Sequence, residues 1–187
     1  MSSEMWLMRH GETEWSRSGQ HTSRTDLPLT EQGERRAADL GRMLAGRKFA
    51  LVLSSPMRRA LETCRLAGYT AEVTEDLCEW DYGTYEGLTT TEIQKTAPGW
   101  TIWTGAVPGG ETIAEVSARA DRVLQRALAA GGDVALFSHG HMLRVLAARW
   151  LELKADAGRL LALSTGSVSV LGWERETRVV QSWNQTA

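Results

Sequence analysis

What most constrains this chain is a junction it uses twice. Met5-Trp6-Leu7-Met8 is a short apolar run that reads as a buried strand, and it passes directly into Arg9-His10-Gly11. Asp133-Val134-Ala135-Leu136-Phe137-Ser138 repeats the pattern and ends in His139-Gly140-His141. In an open α/β sheet, ligands bind just beyond the carboxyl ends of the strands. Two parallel central strands ending in this way would bring two imidazoles to one sheet edge, with Arg9 beside them. Glycine after histidine lets the backbone turn sharply and approach a bound group.

The intervening segments fit one architecture. Thr30 reads as the N-cap of an amphipathic helix over Gly33 to Lys48, with apolar positions Ala37, Leu40, Met43 and Leu44. Ala50 to Leu53 is a second strand. Ser55 as cap and Pro56 at the first helical position open another helix, which Gly68 stops. Ala71 to Thr74 is a short third strand. Thr112-Ile113-Ala114-Glu115 is a capping box for a helix reaching Ala130, and Met142 to Leu151 forms the next helix. Val168 to Trp173 and Arg178 to Trp183 flank Glu174-Arg175-Glu176-Thr177 as a hairpin. Trp15 to Asp26 reads as loop. Leu77 to Gly110 is irregular and aromatic, with one short helix from Thr90 to Thr96; so long an excursion in a compact domain marks a functional loop. The expected fold class is α/β: a three-layer α/β/α sandwich around a mixed, mostly parallel central sheet, in one domain over 1–187.

Composition narrows the function. The formal net charge of -2 argues against a nucleic-acid binder held by phosphate contacts, so positive charge must act locally. Apolar residues make up 42% and charged ones 24%, which excludes disorder, and no apolar run reaches membrane-spanning length. Cys64 and Cys78 lack Cys-x-x-Cys spacing, and Met1 to Glu4 lacks a basic leader, so a reduced cytoplasmic protein without membrane or nucleic-acid partners is expected. The pattern does not decide between a monomer and a homodimer.

Two imidazoles, Arg9 and the helix-borne pair Arg58 and Arg59 suit a tetrahedral dianion. Guanidinium forks match phosphate oxygens, and helix N-termini add N–H groups and positive potential. A neutral imidazole can also attack phosphorus, splitting a difficult displacement into two easier steps. The leaving alkoxide then needs a proton, which Glu79 in the aromatic loop could supply. No metal is expected: clustered arginines would repel a dication, and His-x-x-x-His spacing is absent.

Arg9-His10-Gly11-Glu12-Thr13 resembles the signature of the histidine phosphatase superfamily, which includes the cofactor-dependent phosphoglycerate mutases. The resemblance extends over Asp26-Leu27-Pro28-Leu29-Thr30 with Gly33, Ser54-Ser55-Pro56-Met57-Arg58-Arg59-Ala60 with Thr63, Glu79 with Tyr82-Gly83 and Glu86-Gly87, Gly109-Gly110-Glu111-Thr112, and Ser138-His139-Gly140. It implies that His10 is the nucleophile and Glu79 the acid/base, and that Arg9, Arg59 and His139 bind the phosphoryl group. Ser16, Thr22, Ser23, Tyr82 and Gly140 are expected around a small phosphorylated metabolite, with no cofactor; His141 reads either as a substrate contact or as a group of the following helix's first turn set back from it or exposed. Ser16 stands where the family often has asparagine, and Ser23 where it often has glycine; serine can still donate a hydrogen bond.

Three function classes follow. A phosphatase working through phosphohistidine is favoured, on small sugar or glycerol phosphates and best somewhat below neutral pH. A phosphoglycerate mutase would carry a basic insertion that grips the second anionic group of its substrate, yet Gly87 to Gly110 has Lys95 as its only cation. A noncatalytic phospholigand-binding module could keep the arginines but has no need for both His10 and Glu79. Trp100 and Trp103 read either as pocket walls or as the private core of their loop.

Overall fold

The computed structural model describes residues 3–187. Strands β1 (Met5–Arg9), β2 (Leu51–Ser54), β3 (Glu72–Val73), β4 (Val134–Ser138), β5 (Val168–Glu174) and β6 (Thr177–Gln185) form one sheet in the order β3-β2-β4-β1-β5-β6. β1 to β4 pair in parallel, whereas β5 runs antiparallel to both β1 and β6, which makes the sheet mixed and mostly parallel as expected.

Strand periodicity builds the layers. Successive side chains of a strand point to opposite faces. Met5 and Leu7 therefore pack with Val116, Val123 and Leu146 on one side, while Met8 packs with Leu40, Leu44 and Cys64 on the other. The first group belongs to α5 (Ile113–Leu128) and α6 (Gly140–Trp150), the second to α2 (Glu31–Leu44) and α3 (Arg58–Leu66). Two smaller helices, α1 (Glu14–Ser18) and α4 (Thr90–Thr96), lie in the connections. β4, buried on both faces, is apolar throughout except for Ser138.

Four local expectations need correcting. The Trp15–Asp26 loop begins inside α1, whose capping box pairs Thr13 with Ser16; a five-residue helix is too short to show periodicity. The helix opened by Thr30 ends at Leu44, where Ala45 takes a left-handed conformation, and does not reach Lys48. Ser55 is not the N-cap of α3. That position is Met57, with no side-chain cap bond; the Ser55 hydroxyl accepts from the Met57 N–H at 3.3 Å, ahead of the helix, and also meets His139 Nε2 at 2.7 Å. The helix expected from Met142 begins at Gly140, so His141 lies within its first turn. A 3-10 segment over Ala155–Leu160 was not foreseen.

β1 and β4 are neighbours at the centre of the sheet, and Arg9 pairs with Ser138 at the last register position. The next residues out are His10 and His139. Gly11 serves a purpose other than a left-handed turn: a Cβ there would lie 2.4 Å from the Gly33 carbonyl oxygen. Glycine at both positions allows the start of α2 to close directly on the His10 loop.

Candidate active site

His10 leaves the end of β1 with its backbone N–H bonded to the Ser138 carbonyl at 3.0 Å. Its Nδ1 lies 2.7 Å from the carbonyl oxygen of Gly11. A carbonyl only accepts, so Nδ1 carries the proton and the lone pair of the neutral ring sits on Nε2. The ring is 5% exposed. Burial, followed by the nearby Arg59 and Arg9 guanidiniums, pushes its pKa well below the usual histidine value. The imidazole is therefore uncharged at neutral pH.

His139, the N-cap of α6, stands edge-on to His10 with ring centroids 5.1 Å apart. Arg59 Nε donates to its Nδ1 at 3.2 Å, which leaves Nε2 to donate to the Ser55 hydroxyl at 2.7 Å. Burial and then Arg59 lower its pKa strongly, so it too is neutral. Because both nitrogens are engaged by protein groups, a phosphoryl contact through either one requires an exchange of partners.

Arg59 is fully buried while Arg58 is exposed. Beyond His139, its guanidinium donates to the carbonyls of Thr25 at 3.0 Å, Ser23 at 3.0 Å and Thr22 at 3.3 Å. The amides of that same loop point the other way. Ser23 N–H and Thr25 N–H donate to the Glu86 carboxylate at distances of 2.8 to 3.0 Å. One strip of backbone is thus held between an anion and a cation. Ser23 acts here through its backbone and does not line the cavity.

Arg9 bonds the Leu163 carbonyl through Nη1, but its buried Nε has no partner. Its guanidinium lies against Gly140, where a Cβ would meet Cζ at 3.2 Å, so glycine lets the guanidinium pack close to the start of α6. Glu79 comes from the irregular loop and occupies the α6 N-terminus that His139 leaves uncapped. It accepts from Trp80 N–H at 2.9 Å, Met142 N–H at 2.8 Å and His141 N–H at 3.0 Å. The first turn of a helix offers unsatisfied N–H groups to just such an anion. One lone pair of Oε2 remains unused by the chain.

These groups open on a cavity of about 170 Å³ lined by Arg9, His10, Ser16, Thr22, Glu79, Tyr82, Gly140 and His141, among others. Tyr82 Oη and His141 Nδ1 share a proton across 2.6 Å. Arg59, His139 and Ser23 stand behind the lining rather than in it. Trp100 and Trp103 back the wall: Trp100 meets His21, and Trp103 meets His141, both edge-on.

Arg144, Gln20 and His21 also line the cavity and were missed as site residues. Arg144 had a signal, since it is the one charged side chain in the apolar run Met142 to Ala148, and a charge on a buried helix needs a partner. Arg119 had none. It donates to Glu111 at 2.7 Å and to the carbonyls of Asp76, Cys78 and Glu79, fixing the loop that presents Glu79.

The family model described as the histidine phosphatase superfamily (branch 1) matches residues 5–186. The chain belongs to this superfamily. It is 43% identical over 177 residues to an acid phosphatase of Mycobacterium tuberculosis, across 92% of this chain and 87% of the relative. It is 35% identical over 182 residues to the sedoheptulose 1,7-bisphosphatase of Saccharomyces cerevisiae, across 79% of this chain and 67% of the relative. The solved structure of a Mycobacterium tuberculosis open reading frame superposes with a TM-score of 0.95 at 40% identity, covering 98% of each chain. Histidine phosphatase membership accounts for the mixed sheet and makes the chain a phosphatase-family enzyme. No helix among the described residues is long and apolar enough to cross a membrane.

Proposed function

We propose that this histidine phosphatase hydrolyses phosphomonoesters of small metabolites, sugar or glycerol phosphates in particular, through a phosphohistidine at His10 Nε2. The observation that carries the reading is the Nδ1 contact with the Gly11 carbonyl, which leaves the lone pair on the nitrogen opposite. That lone pair attacks phosphorus, forming the N–P bond as the ester P–O bond breaks. The leaving alkoxide takes its proton from Glu79. Water then gives a proton to Glu79 while its oxygen attacks phosphorus, the N–P bond breaks, and inorganic phosphate departs.

Charge placement supports the same roles. The orphaned Nε–H of Arg9 is a donor in need of an acceptor, which a phosphoryl oxygen supplies. Gly140 N–H, at the first helical position, has no intrahelical acceptor and adds a second donor. Arg59 holds His139 and the Thr22–Thr25 loop and contributes positive potential from behind. The modest cavity, and a relative named for a sugar bisphosphate, support a small sugar phosphate as substrate. A phosphate-release assay over glycerol, sugar and p-nitrophenyl phosphates tests the reading. Wild-type turnover that His10→Ala abolishes is the expected result. Turnover that survives His10→Ala contradicts it.

A further inference from the structure

We propose that Thr63 is a positioning residue for the reaction: its buried hydroxyl holds the Gly11 backbone so that the Gly11 carbonyl keeps the proton of His10 on Nδ1. This rests on the reading of His10 as the nucleophile through Nε2.

Thr63 lies on the buried face of α3, one turn beyond Arg59, and is fully buried. It does not line the cavity. A threonine inside a helix gains nothing from propensity, and a buried hydroxyl needs partners. Thr63 has two. The hydroxyl donates to the Arg59 carbonyl, four residues back, at 2.7 Å. With its proton committed there, the oxygen can only accept, and it accepts the Gly11 N–H at 3.0 Å.

That bond reaches the nucleophile in two steps. The peptide joining His10 to Gly11 is pinned at both ends: the His10 carbonyl accepts from Gly166 N–H at 2.9 Å, and the Gly11 N–H is held by Thr63. Glycine's own dihedrals are soft, so the direction of the Gly11 carbonyl is only as fixed as the peptide before it. Held in this way, the carbonyl lies 2.7 Å from His10 Nδ1 and accepts its proton. The bond a neutral imidazole makes decides which of its nitrogens is protonated. Without the carbonyl both tautomers become accessible, and one of them has no lone pair on Nε2. A single helix thus sets both imidazoles, His139 through the side chain of Arg59 and His10 through the hydroxyl of Thr63.

Thr63→Val keeps the shape and removes the hydroxyl, whereas Thr63→Ser keeps the hydroxyl and drops the methyl. The ring nitrogens of His10 are followed by ¹⁵N NMR of histidine-labelled protein, with His10→Ala assigning the signals. kcat and KM are measured on p-nitrophenyl phosphate. In wild type and in Thr63→Ser, His10 should show one protonated and one bare nitrogen. In Thr63→Val the two signals should move towards each other as the tautomers mix, and kcat should fall about tenfold with KM little changed. A Thr63→Val protein that keeps the wild-type nitrogen pattern, whatever its activity, overturns the proposal, because a packing role alone would leave that pattern intact. A folded Thr63→Ser protein that loses the pattern also overturns it, and this result can be read even if Thr63→Val does not fold. The nitrogen pattern belongs to the resting enzyme, so it reports on Thr63 even if His10 proves not to be the nucleophile. Absence of phosphohistidine in the wild-type enzyme would count against the nucleophile assignment alone.

Discussion

Arg59 and His139 are joined by a hydrogen bond in which the donor's identity fixes the acceptor's proton: Arg59 Nε–H points at His139 Nδ1 at 3.2 Å. An arginine can only donate, so His139 is held as the Nε2–H tautomer and kept neutral beside His10. Arg59 thereby orders both the second imidazole and, through three carbonyls, the loop that forms one side of the cavity.

Arg59→Met should consequently damage stability as well as chemistry. It strands three carbonyls, that of Ser23 buried and the other two half-buried, and one buried ring nitrogen, at a cost on the order of 3 kcal/mol. Arg59→Lys keeps the charge but cannot reach the four acceptors from one ammonium and should recover only part of the loss. Denaturant melts of both variants give the comparison. A lysine variant as stable as wild type would mean that the charge, not the fork, is what the site requires.

The fold stability should fall with acid. His10 and His139 are neutral in the native state because burial, reinforced by Arg59, depresses their pKa values, whereas both take up protons in the unfolded chain below about 6.5. The unfolded state then binds more protons, so each ring contributes a loss approaching about 1.4 kcal/mol per pH unit below that point. Activity, by contrast, should not be lost at pH 6 through His10 protonation. Urea titrations at pH 7, 6 and 5 should show the decline, with a slope shallower by about one proton in His10→Gln. An unchanged slope in that variant would place a charged imidazole in the native protein.

Glu79→Gln distinguishes proton donation from helix capping. Gln retains an oxygen for two of the three backbone N–H groups, so the fold should survive with a small loss. As a failed acid it should slow alkyl phosphates on the order of 10²- to 10⁴-fold, while p-nitrophenyl phosphate, whose leaving group scarcely needs a proton, is slowed much less. Equal slowing of both substrates would remove Glu79 from the first step.

Arg119→Met should destabilise the protein by about 2–3 kcal/mol, since it leaves the half-buried Glu111 and three carbonyls of the Glu79 loop without their donor. Glu111→Gln keeps a hydrogen-bond acceptor for the guanidinium and should cost less. Thermal melts that rank the two variants in the opposite order would contradict the bridging role of Arg119.

The sequence carried the site's centre because β1 and β4 announce themselves: each is an unbroken apolar run that ends in His-Gly, and parallel pairing puts the two ends together. Helices were legible where caps were local, as at Thr112 with Glu115 and at Thr30. Ser55 shows why others were not. Its hydroxyl serves two partners at once, the Met57 N–H just before α3 and an imidazole 84 residues away, and only the first is local in sequence. Glu86 and Arg119 escaped for the same reason. Their partners are backbone groups of other loops, and no spacing in the chain records a bond between a carboxylate and amides 61 to 63 residues earlier.

The guanidiniums beside His10 predict metal independence. Arg9 and Arg59 oppose a second positive charge there, so activity on sugar phosphates should survive exhaustive dialysis against EDTA. Loss of activity under chelation that added zinc restores would contradict the charge argument.

The identity of the phosphorylated nitrogen tests the central claim most directly. Wild-type enzyme mixed with ³²P-labelled substrate is quenched in alkali during turnover, digested, and its phosphohistidine isomer resolved. Because Nδ1 is committed to the Gly11 carbonyl, the label should sit on Nε2 of His10 and vanish in His10→Ala. Label on Nδ1, on another residue, or persisting in His10→Ala would contradict the account.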